Sequence, residues 1–224
     1  MKTVIVLPAY NEEKYVGEVV RSCREHGFDH VIVVDDGSLD NTGTAAADSG
    51  AVVVSHMINR GVGAATQTGL SAARMMGADI AVTMDADGQH LAGDIKPLLE
   101  ILERDRADIV LGSRFLNSKN RIPLLRRGFN LVANLITFML SGIYISDSQS
   151  GMKVFSGEAL ARINITSNGY EFCSEIIREA RYFRLRISEV PISVNYSDYT
   201  LSKGQNFASG ITTVFKLMLR TLMR

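Results

Sequence analysis

Tryptophan is absent from the 224-residue chain, and cysteine and proline are scarce, with two and four copies. Two cysteines cannot staple a fold of this length, and Cys23 and Cys173 lack metal-ligand spacing or an evident pairing. A reduced, cytosolic setting is therefore expected. Charge of one sign is not in excess, since Lys plus Arg and Asp plus Glu balance at 24 each. That excludes the whole molecule as an electrostatic binder of nucleic acid. Internal repeats, low-complexity tracts and linker-like stretches are also missing. The chain opens directly on a strand, so no signal peptide is expected. Its 46% hydrophobic content supports one sizeable core, and a single domain over residues 1–224 is expected.

The apolar runs alternate with helical patterns. Val4 to Leu7 reads as a buried strand, broken by Pro8-Ala9-Tyr10-Asn11-Glu12-Glu13. Asn11 is a good helix cap with Glu12 and Glu13 in the first turn, and a helix is expected to run to about His26. His30 to Val34 is a second strand, ending in Asp35-Asp36-Gly37-Ser38; Asp40 or Thr42 caps a helix, and Ala51 to Ser55 is a third strand. This βαβαβ order predicts an α/β fold with a mostly parallel, Rossmann-like central sheet flanked by helices.

The stretch richest in chemistry is Ile80 to His90. A buried strand, Ile80 to Met84, runs into Asp85-Ala86-Asp87-Gly88-Gln89-His90. Alternation puts Asp85 and Asp87 on one side, in the crevice beyond the strand's carboxyl end where open α/β sheets bind ligands. Two such carboxylates repel unless a cation or proton intervenes. The oxygen donors of Asp85, Asp87 and Gln89 suit Mg²⁺ or Mn²⁺ rather than zinc. The plainer alternative is that the acids cap the next helix.

Asn59-Arg60-Gly61-Val62-Gly63 offers a backbone turn that can approach an anion at a helix start, or simply pack tightly. It is neither a P-loop nor a dinucleotide fingerprint. A strand from Asp108 to Leu111 ends in Gly112-Ser113-Arg114, delivering Arg114 to the same edge. There it could grip phosphate oxygens or pair with a neighbouring carboxylate.

No charge interrupts residues Gly128 to Ser146. The run is borderline for a membrane span, and its pattern predicts an amphipathic helix instead. Asn130, Asn134, Thr137 and Ser141 form a polar stripe continued by Arg126; Phe129, Val132, Ile136, Met139, Leu140 and Ile143 cover the other side. Such a helix, within 121–146, can lie among lipid headgroups or pack on the core. A second amphipathic, basic segment is expected over 207–224, where long cations can snorkel. Glu171 and Glu175 are acids near the edge without an assignable role, and His26, His30 and His56 read as surface residues.

Five motifs in series resemble one family: Pro8-Ala9-Tyr10-Asn11-Glu12, Val33-Val34-Asp35-Asp36-Gly37-Ser38, Asn59-x-Gly61-x-Gly63, Asp85-Ala86-Asp87-Gly88-Gln89-His90 and Gly112-Ser113-Arg114. Together they are similar to the inverting family 2 glycosyltransferases of GT-A fold, most closely the dolichyl- or polyprenyl-phosphate sugar transferases. The resemblance implies transfer of one sugar, with inversion, from a nucleotide-diphosphate sugar to a polyprenyl monophosphate. UDP-glucose or UDP-N-acetylglucosamine is favoured over GDP-mannose. It implies that Pro8, Tyr10, Glu12, Asp36 and, with them, Asp35 hold the nucleoside, and that Gly61 borders the donor. Asp85, Asp87 and Gln89 would hold Mg²⁺ or Mn²⁺, with His90 behind them. Arg114, Arg126 and Lys203 of the Ser202-Lys203 loop would neutralise the phosphates, Asn130 would help Arg126 reach them, and Asp147 to Gly151 would line the acceptor side. A peripheral position on the cytoplasmic membrane face follows, and a homo-oligomer is left open. Lacking tryptophan, the chain has no Gln-x-x-Arg-Trp motif, which argues against a processive polysaccharide synthase. A different acceptor, or a sugar nucleotidyltransferase, are the competing readings; the latter should show a Gly-rich turn after strand one.

Overall fold

The computed structural model describes residues 1–120 and 122–195. Arg121, the Ser202-Lys203 loop and the amphipathic segment 207–224 lie outside the described residues.

The strands are β1 (Thr3–Ala9), β2 (His30–Asp35), β3 (Val52–Ser55), β4 (Ile80–Thr83), β5 (Ile109–Ser113), β6 (Lys153–Ser156) and β7 (Ile187–Pro191). They build one sheet in the order β3-β2-β1-β4-β6-β5-β7. β1 pairs parallel with β2 and β4, β2 with β3, and β5 with β7. β6 alone runs antiparallel, between β4 and β5. The sheet is therefore mostly parallel, as the alternation predicts.

The helices are α1 (Val16–Glu25), α2 (Thr42–Asp48), α3 (Val62–Met75), α4 (Ile95–Arg104), α5 (Leu124–Ser141), α6 (Gly157–Arg162) and α7 (Phe172–Tyr182). Alternate residues of the central strands serve opposite faces. Ile5 and Leu7 pack with α1 and α4, while Val4 and Val6 pack with α3 and α7. The α3 contact is unusually close, because a Cβ on Gly69 would lie 2.2 Å from Val6 Cγ1.

Two local expectations change. α1 begins at Val16, not after Asn11. Asn11 instead adopts a left-handed backbone (φ 54°), its side chain accepting from the Leu39 N–H at 2.8 Å. An Asn side chain tolerates that conformation, and here it ties the segment after β1 to the one after β2, 28 residues on, instead of capping a helix. The short α6, capped by Ser156 Oγ accepting from the Ala159 N–H, was not anticipated.

α5 is an amphipathic helix with its polar stripe turned inward. Asn130, Thr137 and Ser141 are buried, whereas Leu131, Leu135 and Met139 are 71%, 57% and 65% exposed. The burial is affordable because the stripe is hydrogen-bonded: Asn134 Nδ2 donates to the Ser146 carbonyl at 2.7 Å, and the Thr137 and Ser174 hydroxyls lie 2.7 Å apart. Ile136, expected on the outward side, is buried. The helix stops at Ser141, where Gly142 takes a left-handed conformation at φ 70°. Among the described residues no helix is long and apolar enough to cross a membrane.

The Gly69 contact generates a test. Gly69→Ala should lower unfolding stability by about 1–3 kcal/mol through overpacking, despite a helix-propensity gain of about 1 kcal/mol. Urea denaturation with an unchanged m-value would measure it.

Candidate active site

Since β1, β2, β4 and β5 share one direction, their carboxyl ends meet at one edge, where a cleft of about 590 Å³ opens. Pro8, Tyr10 and Glu12 after β1, and Asp36 after β2, form its first wall with Asn59 and Gly61. Asp36 is nearly inaccessible, and its carboxylate is a hub. Oδ1 accepts from the Arg60 N–H at 2.9 Å and lies 2.6 Å from His56 Nδ1; Oδ2 accepts from the Gly61 N–H at 2.7 Å. Asp35 is not brought into the cleft. Consecutive residues of extended chain point oppositely, so Asp35 turns toward α2, where Oδ1 accepts from the Ser38 N–H at 3.0 Å.

His56 is a correction. Its side chain is only 7% exposed, with Nδ1 on Asp36 and Nε2 2.9 Å from Thr68 Oγ1 of α3. His26 and His30 are exposed as expected. The signal available for His56 was its position just past β3, on the same sheet edge as Asp35 and Asp85.

The glycines of the 59–63 segment serve a backbone contact. A Cβ on Gly61 would lie 2.3 Å from the Asn168 carbonyl oxygen and one on Gly63 2.2 Å from that of Ser167, while the Gly63 N–H donates to Asn168 O at 2.8 Å. Segment 166–168 is in turn held by Glu175, which accepts from Thr166 Oγ1 at 2.5 Å and from the Ser167 N–H at 2.8 Å. Burial works against the charge of Glu175, but hydrogen bonds from Ser167 and Thr166 outweigh it and hold its carboxyl below the ordinary 4.5.

Asp85 and Asp87 both line the cleft floor. His90 Nε2 lies 3.0 Å from Asp85 Oδ2, and His90 Nδ1 is buried without a partner among the described residues. That pairing suits an imidazole donating from Nε2. Desolvation by the cleft walls works against the charge of Asp85, but the His90 hydrogen bond and the charges of His90, Arg114 and Lys153 carry its carboxyl below the usual range. Desolvation and the charge of Asp85 push Asp87 the other way. Asp87 Oδ1 accepts from the Gln89 N–H at 3.0 Å, and Gln89 Nε2 donates to Oδ2. The Gln89 main-chain carbonyl accepts from the Asn195 N–H at 3.0 Å. Gln89 thus orients Asp87.

The antiparallel β6 completes the floor. Thr83 Oγ1 donates to the Gly151 carbonyl at 2.8 Å, and a Cβ on Gly151 would sit 2.3 Å from Asp85 Oδ1. Lys153, which nothing in the sequence singled out, is fully buried below; its Nζ donates to the Ser150 carbonyl and lies 3.5 Å from Cys173 Sγ.

Arg114 lines the cleft and is clamped by buried Asp147, with Nε and Nη2 each 2.7 Å from a carboxylate oxygen. Its bidentate carboxylate partner is Asp147, while its charge also reaches Asp85. Asp147 serves Arg114 rather than facing the cleft; from its segment, Gln149 lines the wall. Arg126, Phe129 and Asn130 of α5 and Tyr170 close the remaining side. Lys203 falls outside the described residues.

Two carboxylates on one floor, one raised by the other, fit a hard divalent cation that shares its remaining positions with phosphate oxygens and water. Gly151 keeps Asp85 Oδ1 clear of any side chain. Among the described residues, no cluster of three or more His, Cys, Asp or Glu forms a metal cage.

Comparison with known proteins gives the following. Residues 4–163 match the family described as Glycosyl transferase family 2. The UDP-N-acetylglucosamine–dolichyl-phosphate N-acetylglucosaminyltransferase of Methanococcus voltae is 39% identical, covering 98% of this chain and 94% of that protein. The polyprenol monophosphomannose synthase of Mycolicibacterium smegmatis is 30% identical over 98% and 88%. The crystal structure of M. tuberculosis glucosyl-3-phosphoglycerate synthase superposes with a TM-score of 0.75 at 24% identity, covering 99% of this chain and 80% of that one. Its complex with Mn²⁺, UDP-glucose and phosphoglyceric acid gives 0.70 at 24%, over 96% and 79%. At that identity the likeness carries the fold, which is GT-A.

Two measurements check this wall. His56→Ala removes a donor from buried Asp36 and should lower stability by about 1–3 kcal/mol, with amide exchange accelerating at Arg60 and Gly61. Glu175→Gln should cost about 1.5–3 kcal/mol at pH 7. The Glu175 carboxyl is depressed, so its contribution is full above the unfolded value near 4.5 and fades as pH falls through the folded one. The gap between wild type and Glu175→Gln, followed by thermal melts, should therefore narrow below about pH 4.5.

Proposed function

The chain belongs to glycosyl transferase family 2, and from that premise we propose that it transfers one sugar, with inversion, from a nucleotide-diphosphate sugar to a polyprenyl monophosphate at a membrane surface. The observation that carries this is the lining of one cleft by both the Asp85–Asp87 pair and Arg126 of α5. The named activities of the Methanococcus and Mycolicibacterium relatives, both acting with polyprenyl-type phosphates, support the same reading.

Pro8, Tyr10, Glu12 and Asp36 bind the nucleoside, with Gly61 beside it. Asp85 and Asp87 hold Mg²⁺ or Mn²⁺, with Gln89 and His90 fixing their orientation. When bound, the ion offsets the charge of the departing nucleotide diphosphate. Arg114, aimed by Asp147, and Arg126 bind phosphate oxygens, and Lys203 adds a further cation. Asp35 stays with α2 and has no part in binding. The acceptor needs no general base. A phosphate monoester with second pKa near 6 is mostly ionised at pH 7. The outward Leu131, Leu135 and Met139 of α5 rest against the bilayer, which keeps the phosphate at headgroup depth. A UDP-sugar is the favoured donor.

The assay is purified protein with Mn²⁺, a panel of nucleotide sugars and a short polyprenyl phosphate in detergent. A glycolipid phosphate plus free nucleotide diphosphate is expected. Transfer to a soluble phosphate such as phosphoglyceric acid, with none to the lipid, would replace the acceptor assignment. Asp87→Ala should reduce kcat by about 100-fold or more with an unchanged melting temperature; full activity in that variant would remove the metal assignment.

A further inference from the structure

We infer that Asn130 accepts a hydrogen bond from the transferred sugar and so takes part in choosing it, an inference that rests on the sugar-transfer reading of this cleft. The polar stripe of α5 is otherwise internally satisfied. Asn134 donates to the Ser146 carbonyl and accepts from the Ser148 N–H at 2.9 Å; Thr137 and Ser141 bond to Ser174 and to the helix backbone. Asn130 differs. It lines the cleft and is only 6% exposed, and its Nδ2 donates to the Ser146 carbonyl at 3.3 Å. Its Oδ1 is buried and has no donor among the described residues.

The amide cannot simply turn over, because Oδ1 would then face the Ser146 carbonyl oxygen at that same distance. The open valence is thus a buried acceptor on a side chain that lines the cleft. A buried carbonyl left without a donor is destabilising until one arrives. An ionised phosphate cannot supply it, having no proton to give. The open Oδ1 valence therefore calls for a different partner from the phosphate that the place of Asn130 after Arg126 suggests. A sugar hydroxyl or acetamido N–H can supply it, and the sugar-transfer reading puts the sugar between a diphosphate on the Asp85–Asp87 floor and an acceptor beside Arg126.

The test uses deoxy and deoxyfluoro analogues of the donor sugar, since fluorine replaces a hydroxyl but cannot donate. Wild type should lose about 10- to 100-fold in kcat/KM at one position, equally for both replacements. Asn130→Leu should process that analogue and the parent at similar rates, while Asn134→Leu keeps the discrimination. If Asn130→Leu folds poorly, Asn130→Ser is read with the same series. Retained discrimination in the Asn130 variant overturns the inference. So does a raised KM for polyprenyl phosphate with donor selectivity intact. Absence of any transfer by wild type would sink the proposed activity separately. Asn130 is then read by calorimetry, as the affinity difference between UDP-N-acetylglucosamine and UDP. That difference should shrink about tenfold in Asn130→Leu, and an unchanged difference overturns the inference.

Discussion

The site depends on one tight fit, the absence of a side chain at Gly151 where β6 passes the carboxylate of Asp85. β6 is the strand that breaks the parallel order, and it does so between β4, which carries the acids, and β5, which carries Arg114. A residue larger than glycine would put Cβ inside the van der Waals radius of Asp85 Oδ1. Thr83 ties the two strands at that level through the Gly151 carbonyl. The floor of the cleft is thus made where the second half of the chain returns to the first. Buried Lys153 joins His90 and Arg114 in favouring the charge of Asp85.

Much of this was legible in the residues because strand ends have few degrees of freedom. Once Val4 to Leu7, His30 to Val34, Ile80 to Met84 and Asp108 to Leu111 read as parallel strands, whatever follows them must gather at one edge. That logic placed Asp35, Asp36, Asp85, Asp87 and Arg114 on one edge, while Pro8, Tyr10 and Glu12 entered through the family resemblance. It failed where neighbouring residues compete for one edge. Asp35 and Asp36 are chemically equivalent in sequence, and only the pleat decides which one faces the ligand. It also passed over His56, because a lone histidine has no periodic signature and its partner Thr68 lies on another element. Glu175 acts through two backbone segments, a relation no sequence pattern encodes.

α5 shows a second limit. Its periodicity is visible in sequence, but periodicity gives the existence of two faces and not which one meets the protein. The polar face went inward because residues 146–148 and Ser174 offer enough partners to satisfy it. The outward face was left with Leu131, Leu135 and Met139, an unusual surface for a helix bathed only by water.

The contact between Gly61, Gly63 and the carbonyls of Ser167 and Asn168 has a consequence for how such a protein can diversify. That contact is main chain on both sides, held from behind by the carboxylates of Asp36 and Glu175, so it tolerates drift in other side chains nearby. Variation that retunes selectivity without dismantling the cleft is channelled to the opposite side, where Arg126, Phe129, Asn130 and Tyr170 present replaceable groups. One half of the cavity acts as a fixed jaw and the other as an adjustable one.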